Sequence, residues 1–296
     1  MPIIVSIIVT YNPDNIVLLQ LLKAIENQVN YIVVVDNGSI EKICLNTHGK
    51  TFKTKKIIFK GYNSGVSEAI NTGILEAKKL AATHIIIFDQ DSIAAPDMVE
   101  NLISAMNQKN NEGYKVAAVG ANYSDIKGQH AYPFVKLKGF TLSRIKCDDN
   151  EIVEVDHLIS SGCLISMNAL AEIGGMEEKL FIDYVDTEWC LRAIHKGYSI
   201  FGVGSAHMQH DLGDYHVKLL GRTIPVHSSL RYYYLIRNGV WLLRQPWVST
   251  AWRLMDIRRL TLIYITYTFF VGTRFSNWKM MTLGLWHGLI GRMGKL

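Results

Sequence analysis

The sequence lacks the marks of several large protein classes. Its four cysteines, Cys44, Cys147, Cys163 and Cys190, form no Cys-x-x-Cys pair and match no zinc module, so we expect reduced thiols and a cytosolic setting. No dense Lys/Arg tract accompanies the formal net charge of +5, which argues against nucleic acid as a partner. No Gly-x-Gly-x-x-Gly follows the first apolar run, and no Walker motif occurs, which disfavours dinucleotide-dependent oxidoreductases and P-loop NTPases.

Apolar runs long enough to span a bilayer are also missing from the last part of the chain. Uncharged stretches at 260–273 and 280–291 are bracketed by basic residues, and both fall short of the roughly 20 apolar residues that a spanning helix needs. Beyond residue 231, Asp256 is the only acidic residue. Amphipathic aromatic side chains suited to lipid headgroups are Trp241, Trp247, Trp252, Tyr264, Tyr267, Trp278 and Trp286.

This composition predicts a C-terminal amphipathic helical region over 231–296. We expect it to dock the protein peripherally on an anionic membrane surface, at the cytoplasmic face of a bacterial inner membrane. The alternative is that these helices complete the folded core or form a dimer interface.

What the chain does contain is a regular alternation of two patterns. Short Ile/Val-rich runs at 3–9, 31–35, 55–59, 84–88 and 116–120 predict buried strands. Between them, segments such as 64–80 and 97–108 have helical spacing of apolar residues. Residues 121–156 predict irregular or hairpin structure, residues around Ser161 a strand, and 181–197 a helix. The alternation predicts an α/β fold with a mostly parallel sheet flanked by helices.

Polar residues follow three of these strands. They are Thr10, Tyr11 and Asn12 after the first, Asp36 and Asn37 after the second, and Asp89, Gln90 and Asp91 after the fourth. Because ligands bind beyond the carboxyl ends of parallel strands, these groups should line one cleft.

Asp89 and Asp91 predict a metal site. Two carboxylates so close together are costly unless a cation lies beside them, and oxygen ligands favour Mg²⁺ or Mn²⁺ shared with substrate phosphates. The alternative is that Asp91 caps a turn while Asp89 is solvated. His210 is a candidate third ligand, with His207 as its rival, although a single histidine is more often structural.

Asp36 leaves two interpretations open. Its carboxylate could accept hydrogen bonds from a nucleoside, or it could bond its own turn near Gly38. Asn63 and Gly65 lie at the start of the helix predicted over 64–80, where backbone amides could face a ligand.

A second acidic cluster contains Asp183, Asp186 and Glu188 at the start of the helix within 181–197. The helix dipole stabilises a carboxylate at this end as the anion, which keeps Asp186 available as a general base. Acidic residues also occur in first turns for helix stability alone.

Together these motifs resemble the inverting family-2 glycosyltransferases with the GT-A fold, and more narrowly the bacterial rhamnosyltransferases of O-antigen synthesis. The resemblance covers residues 3–238 and depends on an ordered series of motifs. These are Val5 to Asn12, Val35 to Ser39, Asn63 to Ser67, Phe88 to Ser92, Ser161-Gly162, and Phe181 to Trp189.

The resemblance implies a role for each site residue. It implies nucleoside-sugar contacts for Thr10, Tyr11, Asn12, Asp36, Asn63, Gly65 and Asp89. Metal ligands would be Asp89, Asp91 and His210, the base would be Asp186, and the acceptor side would carry Ser161, Gly162, Asp183 and Trp189. In one departure from the pattern, Val185 stands where many relatives have Glu.

The resemblance also implies domains and substrates. A GT-A domain would occupy 1–230, with a donor half over about 1–120 and an acceptor half over about 121–230. The expected donor is dTDP-β-L-rhamnose, the acceptor a lipid-linked saccharide, and the cofactor Mg²⁺ or Mn²⁺. The alternatives are a UDP- or GDP-hexose donor, a nucleotidyltransferase, and a non-catalytic sugar- or lipid-binding membrane protein.

Overall fold

The computed structural model describes residues 2–41, 43, 55–125, 131–210, 215–219 and 222–296. The strands are β1 Ile4–Thr10, β2 Tyr31–Asp36, β3 Lys55–Phe59, β4 His84–Asp89, β5 Ser92–Ala94, β6 Val116–Ser124, β7 Phe134–Lys138, β8 Thr141–Ile145, β9 Ile152–Val155, β10 Cys163–Ser166, β11 Ser199–His210, β12 Tyr215–Leu219 and β13 Arg222–Val226. The helices are α1 Asn15–Ile25, α2 Val66–Lys79, α3 Met98–Asn111, α4 Met167–Ile173, α5 Val185–His195, α6 Ser229–Leu243, α7 Thr250–Phe269 and α8 Arg274–Ile290, and a 3₁₀ turn covers Glu178–Leu180.

The central sheet has the strand order β3-β2-β1-β4-β10-β6-β11-β5, with β9 also paired to β11. Strands β1, β2, β3, β4, β6 and β11 run in one direction, whereas β5, β9 and β10 run the other way. The predicted α/β fold with a mostly parallel sheet is therefore confirmed. The Ile/Val-rich runs form β1 to β4 and β6, as the alternation of patterns predicts.

Both faces of the sheet are buried, which explains why its strands are continuously apolar. Successive side chains of a strand point to opposite faces. Ile7 of β1 thus packs in one core cluster with Ile70 of α2, while Ile8 packs in another with Leu18 of α1 and Leu102 of α3. Helices cover the sheet on each side, and its carboxyl edge stays open for a ligand.

The strand predicted over 157–167, around Ser161, is shorter in the structure. The chain turns at Gly162, whose φ of 72° lies in the left-handed region, and β10 begins only at Cys163. A Cβ on Gly162 would come within 2.9 Å of Met208 Sδ, so this position needs glycine for space as well. The hairpin expected within 121–156 is present as β7 and β8.

The C-terminal helices pack closely on one another. A Cβ added to Gly284 of α8 would lie 2.5 Å from the carbonyl oxygen of Tyr233, and one added to Gly288 would lie 2.7 Å from that of Arg237. Glycine at both positions lets α8 approach the backbone of α6. Among the described residues, no helix combines the length and apolarity needed to cross a bilayer.

Candidate active site

The polar carboxyl ends of neighbouring strands meet at one edge of the sheet. Thr10 is in register with Asp36 of β2, and Val9 with Asp89 of β4. A cleft of about 450 Å³ opens beside them. It is lined by Val9, Thr10, Tyr11, Asn37, Asn63, Gly65, Val66, Asp89, Gln90, Asp91, Phe181, Ile182, His210 and Arg231. The three polar strand ends therefore contribute to one cleft, as expected from the parallel sheet.

Asp89, Asp91 and His210 form a group that could bind a metal ion. One ligand atom from each lies within 4.8 Å of the others. The imidazole stands between the carboxylates, with Nε2 3.7 Å from Asp89 Oδ2 and Nδ1 3.3 Å from Asp91 Oδ1. Asp91 Oδ1 is buried and makes no hydrogen bond, and a bound cation would satisfy such an oxygen. Oxygen and imidazole donors suit a divalent cation.

The electrostatic environment of Asp89 also favours a bound cation. Burial raises the pKa of its carboxyl above the usual value, and the charges of Asp91 and Asp186 raise it further, whereas His210 and Arg231 oppose the rise. Concentrated negative charge is thus unfavourable at this edge of the sheet. A divalent cation would relieve it by favouring the ionised carboxylates.

Two serines support the group formed by Asp89, Asp91 and His210. Ser161 Oγ accepts a hydrogen bond from the Asp89 backbone N–H at 3.2 Å and lies 2.6 Å from Ser92 Oγ. Ser92 Oγ in turn lies 3.1 Å from His210 Nδ1. Because both serines are buried, this chain of hydroxyls fixes the positions of two candidate ligands relative to each other.

The loops after β1 and β2 brace each other. Asp36 bonds the hydroxyls of Thr10 and Ser39 and accepts the Ser39 backbone N–H at 3.1 Å. Asn12 reaches the same loop, since its N–H donates to Ser39 Oγ and its Oδ1 accepts from the Ile40 N–H. The turn-forming interpretation of Asp36 thus matches its contacts.

On the other side of the cleft, the loop before α2 is shaped by asparagines. Asn63 Oδ1 accepts the Gly65 N–H at 3.0 Å, and Asn37 Oδ1 accepts the Ser64 N–H at 2.9 Å. Gly65 has a φ of 91°, and a Cβ there would lie 2.6 Å from the Phe181 carbonyl oxygen. Glycine is therefore required where this loop meets the segment leading to α5.

Asp186 lies in the first turn of α5 with its side chain 27% exposed. Its Oδ1 accepts the Thr187 N–H at 2.7 Å and lies 3.6 Å from His157 Nε2. Burial acts to raise the pKa of this carboxyl, but His157 and the backbone N–H groups outweigh burial and hold the pKa below its usual value. Asp186 is therefore an anion at neutral pH, as a proton acceptor must be.

The neighbouring acidic residues are engaged differently. Glu188 is fully buried and binds Arg192 through two hydrogen bonds, 2.7 Å to Nε and 2.8 Å to Nη2. Asp183 accepts from Arg231 Nε at 3.3 Å, and burial raises the pKa of its carboxyl. By contrast, Asp186 combines a pKa below the usual value with a side chain that is 27% exposed.

Residues 6–174, more than half of the chain, match the family model described as Glycosyl transferase family 2. The chain belongs to this family. It is also 35% identical over 280 residues to the dTDP-rhamnosyl transferase RfbF of Shigella flexneri, covering 94% of this chain and 91% of that protein.

Solved structures show the fold of this family 2 transferase. TarS 1-349 of S. aureus in complex with UDP-GlcNAc superimposes with a TM-score of 0.62 at 12% identity, over 98% of this chain and 82% of that one. GalNAc-T7 with UDP, GalNAc and Mn²⁺ gives a TM-score of 0.58 at 12% identity, over 88% of this chain. The transferase spans 55% of the GalNAc-T7 chain and 46% of a longer TarS chain, about half of each. These likenesses show the GT-A fold.

Three residues predicted on the acceptor side are held in surroundings that the sequence did not indicate. Trp189 is buried in the core, where its Nε1 donates to the Gly174 carbonyl at 3.0 Å. Gly162 makes the turn before β10, and the buried Ser161 accepts the Asp89 N–H. The acceptor-side role of all three stays a prediction.

Sequence reasoning missed several residues of the transferase site. Arg231 lines the cleft although it stands at the start of the predicted membrane-associating region. His157 contacts Asp186, and Ser92 bonds Ser161 and His210. Ser92 belongs to the Phe88–Ser92 motif, which could have indicated it, whereas nothing in the sequence around Arg231 or His157 indicates their position.

Proposed function

We propose that the chain transfers L-rhamnose from dTDP-β-L-rhamnose to a lipid-linked glycan during bacterial cell-surface polysaccharide (O-antigen) synthesis, with inversion of the anomeric centre. The donor assignment is supported by the 35% identity to a dTDP-rhamnosyl transferase across nearly the whole chain. The observation that carries the chemistry is the proximity of Asp186 to the three candidate metal ligands. An anionic Asp186 lies close enough to the candidate cation ligands for its charge to raise the pKa of Asp89.

The residues divide the reaction between them. Asp186 takes the proton of an acceptor hydroxyl, whose oxygen attacks the anomeric carbon from the face opposite the diphosphate. The bond from that carbon to the diphosphate oxygen breaks, dTDP leaves, and a β-L-donor yields an α-L-rhamnoside. Asp89, Asp91 and His210 would hold Mg²⁺ or Mn²⁺, which would stabilise the charge developing on the diphosphate. Arg231, which lines the same cleft, adds a second positive charge.

A donor panel tests this function. The purified protein is incubated with bacterial lipid extract as acceptor source and with dTDP-β-L-rhamnose, UDP-glucose, UDP-galactose or GDP-mannose, and release of the nucleoside diphosphate is measured. We expect turnover with dTDP-β-L-rhamnose above all others, and turnover about 10² to 10⁴ lower in the Asp186→Asn variant. Efficient turnover of a UDP- or GDP-hexose alone would transfer the assignment to that donor. Absence of turnover with every donor would favour a non-catalytic binding protein, and pyrophosphate release from a nucleoside triphosphate would favour a nucleotidyltransferase.

We also propose that α7 and α8 dock the enzyme on the cytoplasmic face of the membrane, where a lipid-linked acceptor lies. Both helices carry exposed apolar residues at helical spacing. On α8 these are Phe275, Trp278, Leu285, Trp286 and Leu289, and on α7 they are Leu254, Ile257, Leu262, Ile265 and Phe269.

Charge supports an anionic lipid surface as the occupant. The only acidic side chain after residue 231 is Asp256, which is 1% exposed and bonded to Arg259. The outer surface of the region therefore presents Arg and Lys without competing side-chain carboxylates. Each cation near an anionic membrane contributes about 1 kcal/mol to binding.

Flotation with phosphatidylglycerol vesicles tests the docking surface. Deleting α7 and α8 is a poor test because α8 packs on α6, so point variants are preferable. We expect the native protein to float and to be partly released by high salt, whereas Phe275→Ser with Trp286→Ser stays in solution. Phe140→Ser, which removes an equally exposed aromatic from the β7–β8 turn, is the matched control and should float normally. Loss of self-association, rather than of vesicle binding, in the double variant would identify a second copy of the chain as the occupant.

A further inference from the structure

The segment that leads into α5 has an unusual backbone. Phe181, Asp183 and Tyr184 have φ angles of 67°, 61° and 65°, in the left-handed region that residues with a side chain rarely adopt. Such conformations persist only where the surroundings hold them in place. Two residues further along the chain, Asp186 occupies the first turn of the helix, so the path of this segment sets the direction of its carboxylate.

The groups that hold this segment come from the C-terminal helix α6. Asn238 Nδ2 lies within hydrogen-bond distance of three of its carbonyl oxygens, at 2.9 Å from Leu180, 2.7 Å from Ile182 and 2.9 Å from Asp183. The side chain is fully buried. One side-chain amide thus contacts three backbone carbonyls within four consecutive residues.

Arg237 orients that amide. Its Nε donates to Asn238 Oδ1 at 2.9 Å, which leaves Nδ2 facing the segment, and its Nη2 donates to the Leu180 carbonyl at 2.9 Å. The guanidinium is also fully buried and stands over the rings of Tyr233 and Tyr234. Burying a charged group and an amide is costly unless their hydrogen bonds are made. Here they are made mainly to the segment before Asp186, and Arg237 Nη1 also donates to the Gly294 carbonyl.

We propose that Asn238, oriented by Arg237, is a positioning residue for glycosyl transfer, which acts by fixing the backbone that aims Asp186 at the acceptor hydroxyl. This inference rests on the proposed role of Asp186 as the base. It assigns to the C-terminal helices a part in the chemistry in addition to membrane docking. Misplacing a reacting group by about 1 Å can cost on the order of 10²-fold in rate.

Asn277 provides a matched control for the loss of a buried asparagine. It is 2% exposed, and its Nδ2 donates to the carbonyls of Tyr267 in the last turns of α7 and of Val271 in the turn that follows, at 3.3 Å and 3.2 Å. Its Oδ1 accepts from Ser229 Oγ at 2.7 Å. Asn277→Ala therefore removes the same kind of hydrogen bonds from a turn that carries no proposed catalytic group. Both alanine variants should lower the Tm.

The test compares the steady-state kinetics of Asn238→Ala and Asn277→Ala well below their Tm values, with dTDP binding measured by calorimetry. We expect kcat to fall about 10²-fold in Asn238→Ala only, with the Kd for dTDP changed less than about threefold in both variants. Asn238→Ser, which keeps one donor, should give an intermediate kcat. Equal kcat losses in the two alanine variants would show a purely structural role and overturn the proposal.

A double-mutant cycle with Asp186→Asn separates this inference from the proposed base. If Asn238 acts through Asp186, Asn238→Ala should slow the Asp186→Asn variant less than about twofold further. A full additional loss in that background would overturn the positioning role and leave the base intact. Native activity of Asp186→Asn would overturn the base itself, and with it this inference.

Discussion

The donor-side strands and the C-terminal helices distribute polar residues in opposite ways. In β1, β2 and β4, apolar side chains fill the core, and polar ones appear at the cleft where each strand ends. In α6 to α8, Arg237, Asn238 and Asp256 are buried, while Phe275 is 75% exposed. Apolar residues thus fill the interior of both regions, but in the second region buried polar groups and exposed apolar side chains accompany them. A buried polar residue in such a helix is best understood through the backbone that it holds.

Removal of divalent cations from the cleft should have the largest effect on transfer. Chelation of divalent cations should reduce transfer to background, and added Mg²⁺ or Mn²⁺ should restore it, because Asp89, Asp91 and His210 would lose the ion that stabilises the leaving diphosphate. Activity is followed by dTDP release. Full turnover in excess chelator would show that the three side chains serve without an ion, and Arg231 would then carry the charge stabilisation.

The next effect contrasts two carboxylates two residues apart on α5. Asp186→Asn should lower kcat by about 10² to 10⁴ with little change in Tm, since it removes a proton acceptor whose side chain is partly exposed. Glu188→Gln should instead destabilise the fold by about 3 kcal/mol, because Arg192 loses a buried ionic partner, with kcat of the folded fraction retained. Kinetics and thermal melts on both variants make the comparison, and the reverse pattern would assign the base to Glu188.

A smaller effect contrasts the two faces of α8. Gly288→Val should cost about 1 to 3 kcal/mol of stability, because its side chain would press on the Arg237 carbonyl and on Val240. Phe275→Ser on the exposed face should stay within about 0.5 kcal/mol of the native protein. Urea unfolding curves measure both. A stability loss from Phe275→Ser as large as that from Gly288→Val would mean that the outer face is covered in solution.

The smallest effect is a shift in pH dependence. His157 helps to hold the pKa of Asp186 below its usual value, so the base stays ionised well into the acid range. In His157→Gln the anion loses that support, its pKa rises, and the acid limb of kcat/KM should move to higher pH. A pH profile of the variant checks this, with His195→Gln at the far end of α5 as control. An unmoved acid limb would remove His157 from the environment of the base.

Local patterns predict the donor side well and the assembly of the site only in part. Runs such as 84–88 have a composition that specifies a buried strand, and the parallel sheet then brings Asp36 and Asp89 to one edge. Contacts between distant segments carry no such signal. Nothing in the sequence near Asn238 indicates that its amide contacts the carbonyl of Leu180. The sequence around an aromatic residue such as Trp189 does not distinguish a position in the core from one that lines a cleft.

The pairing of β5 with β11 has a consequence for how the chain acquires its metal site. Ser92 and His210 are 118 positions apart, so the third candidate ligand arrives only when the last strand of the sheet has docked. A partly folded chain offers two carboxylates and no imidazole, and should bind a cation weakly. An ion bound by these three residues would therefore favour the completed fold over partly folded forms, and would raise the melting temperature by mass action with the logarithm of its concentration.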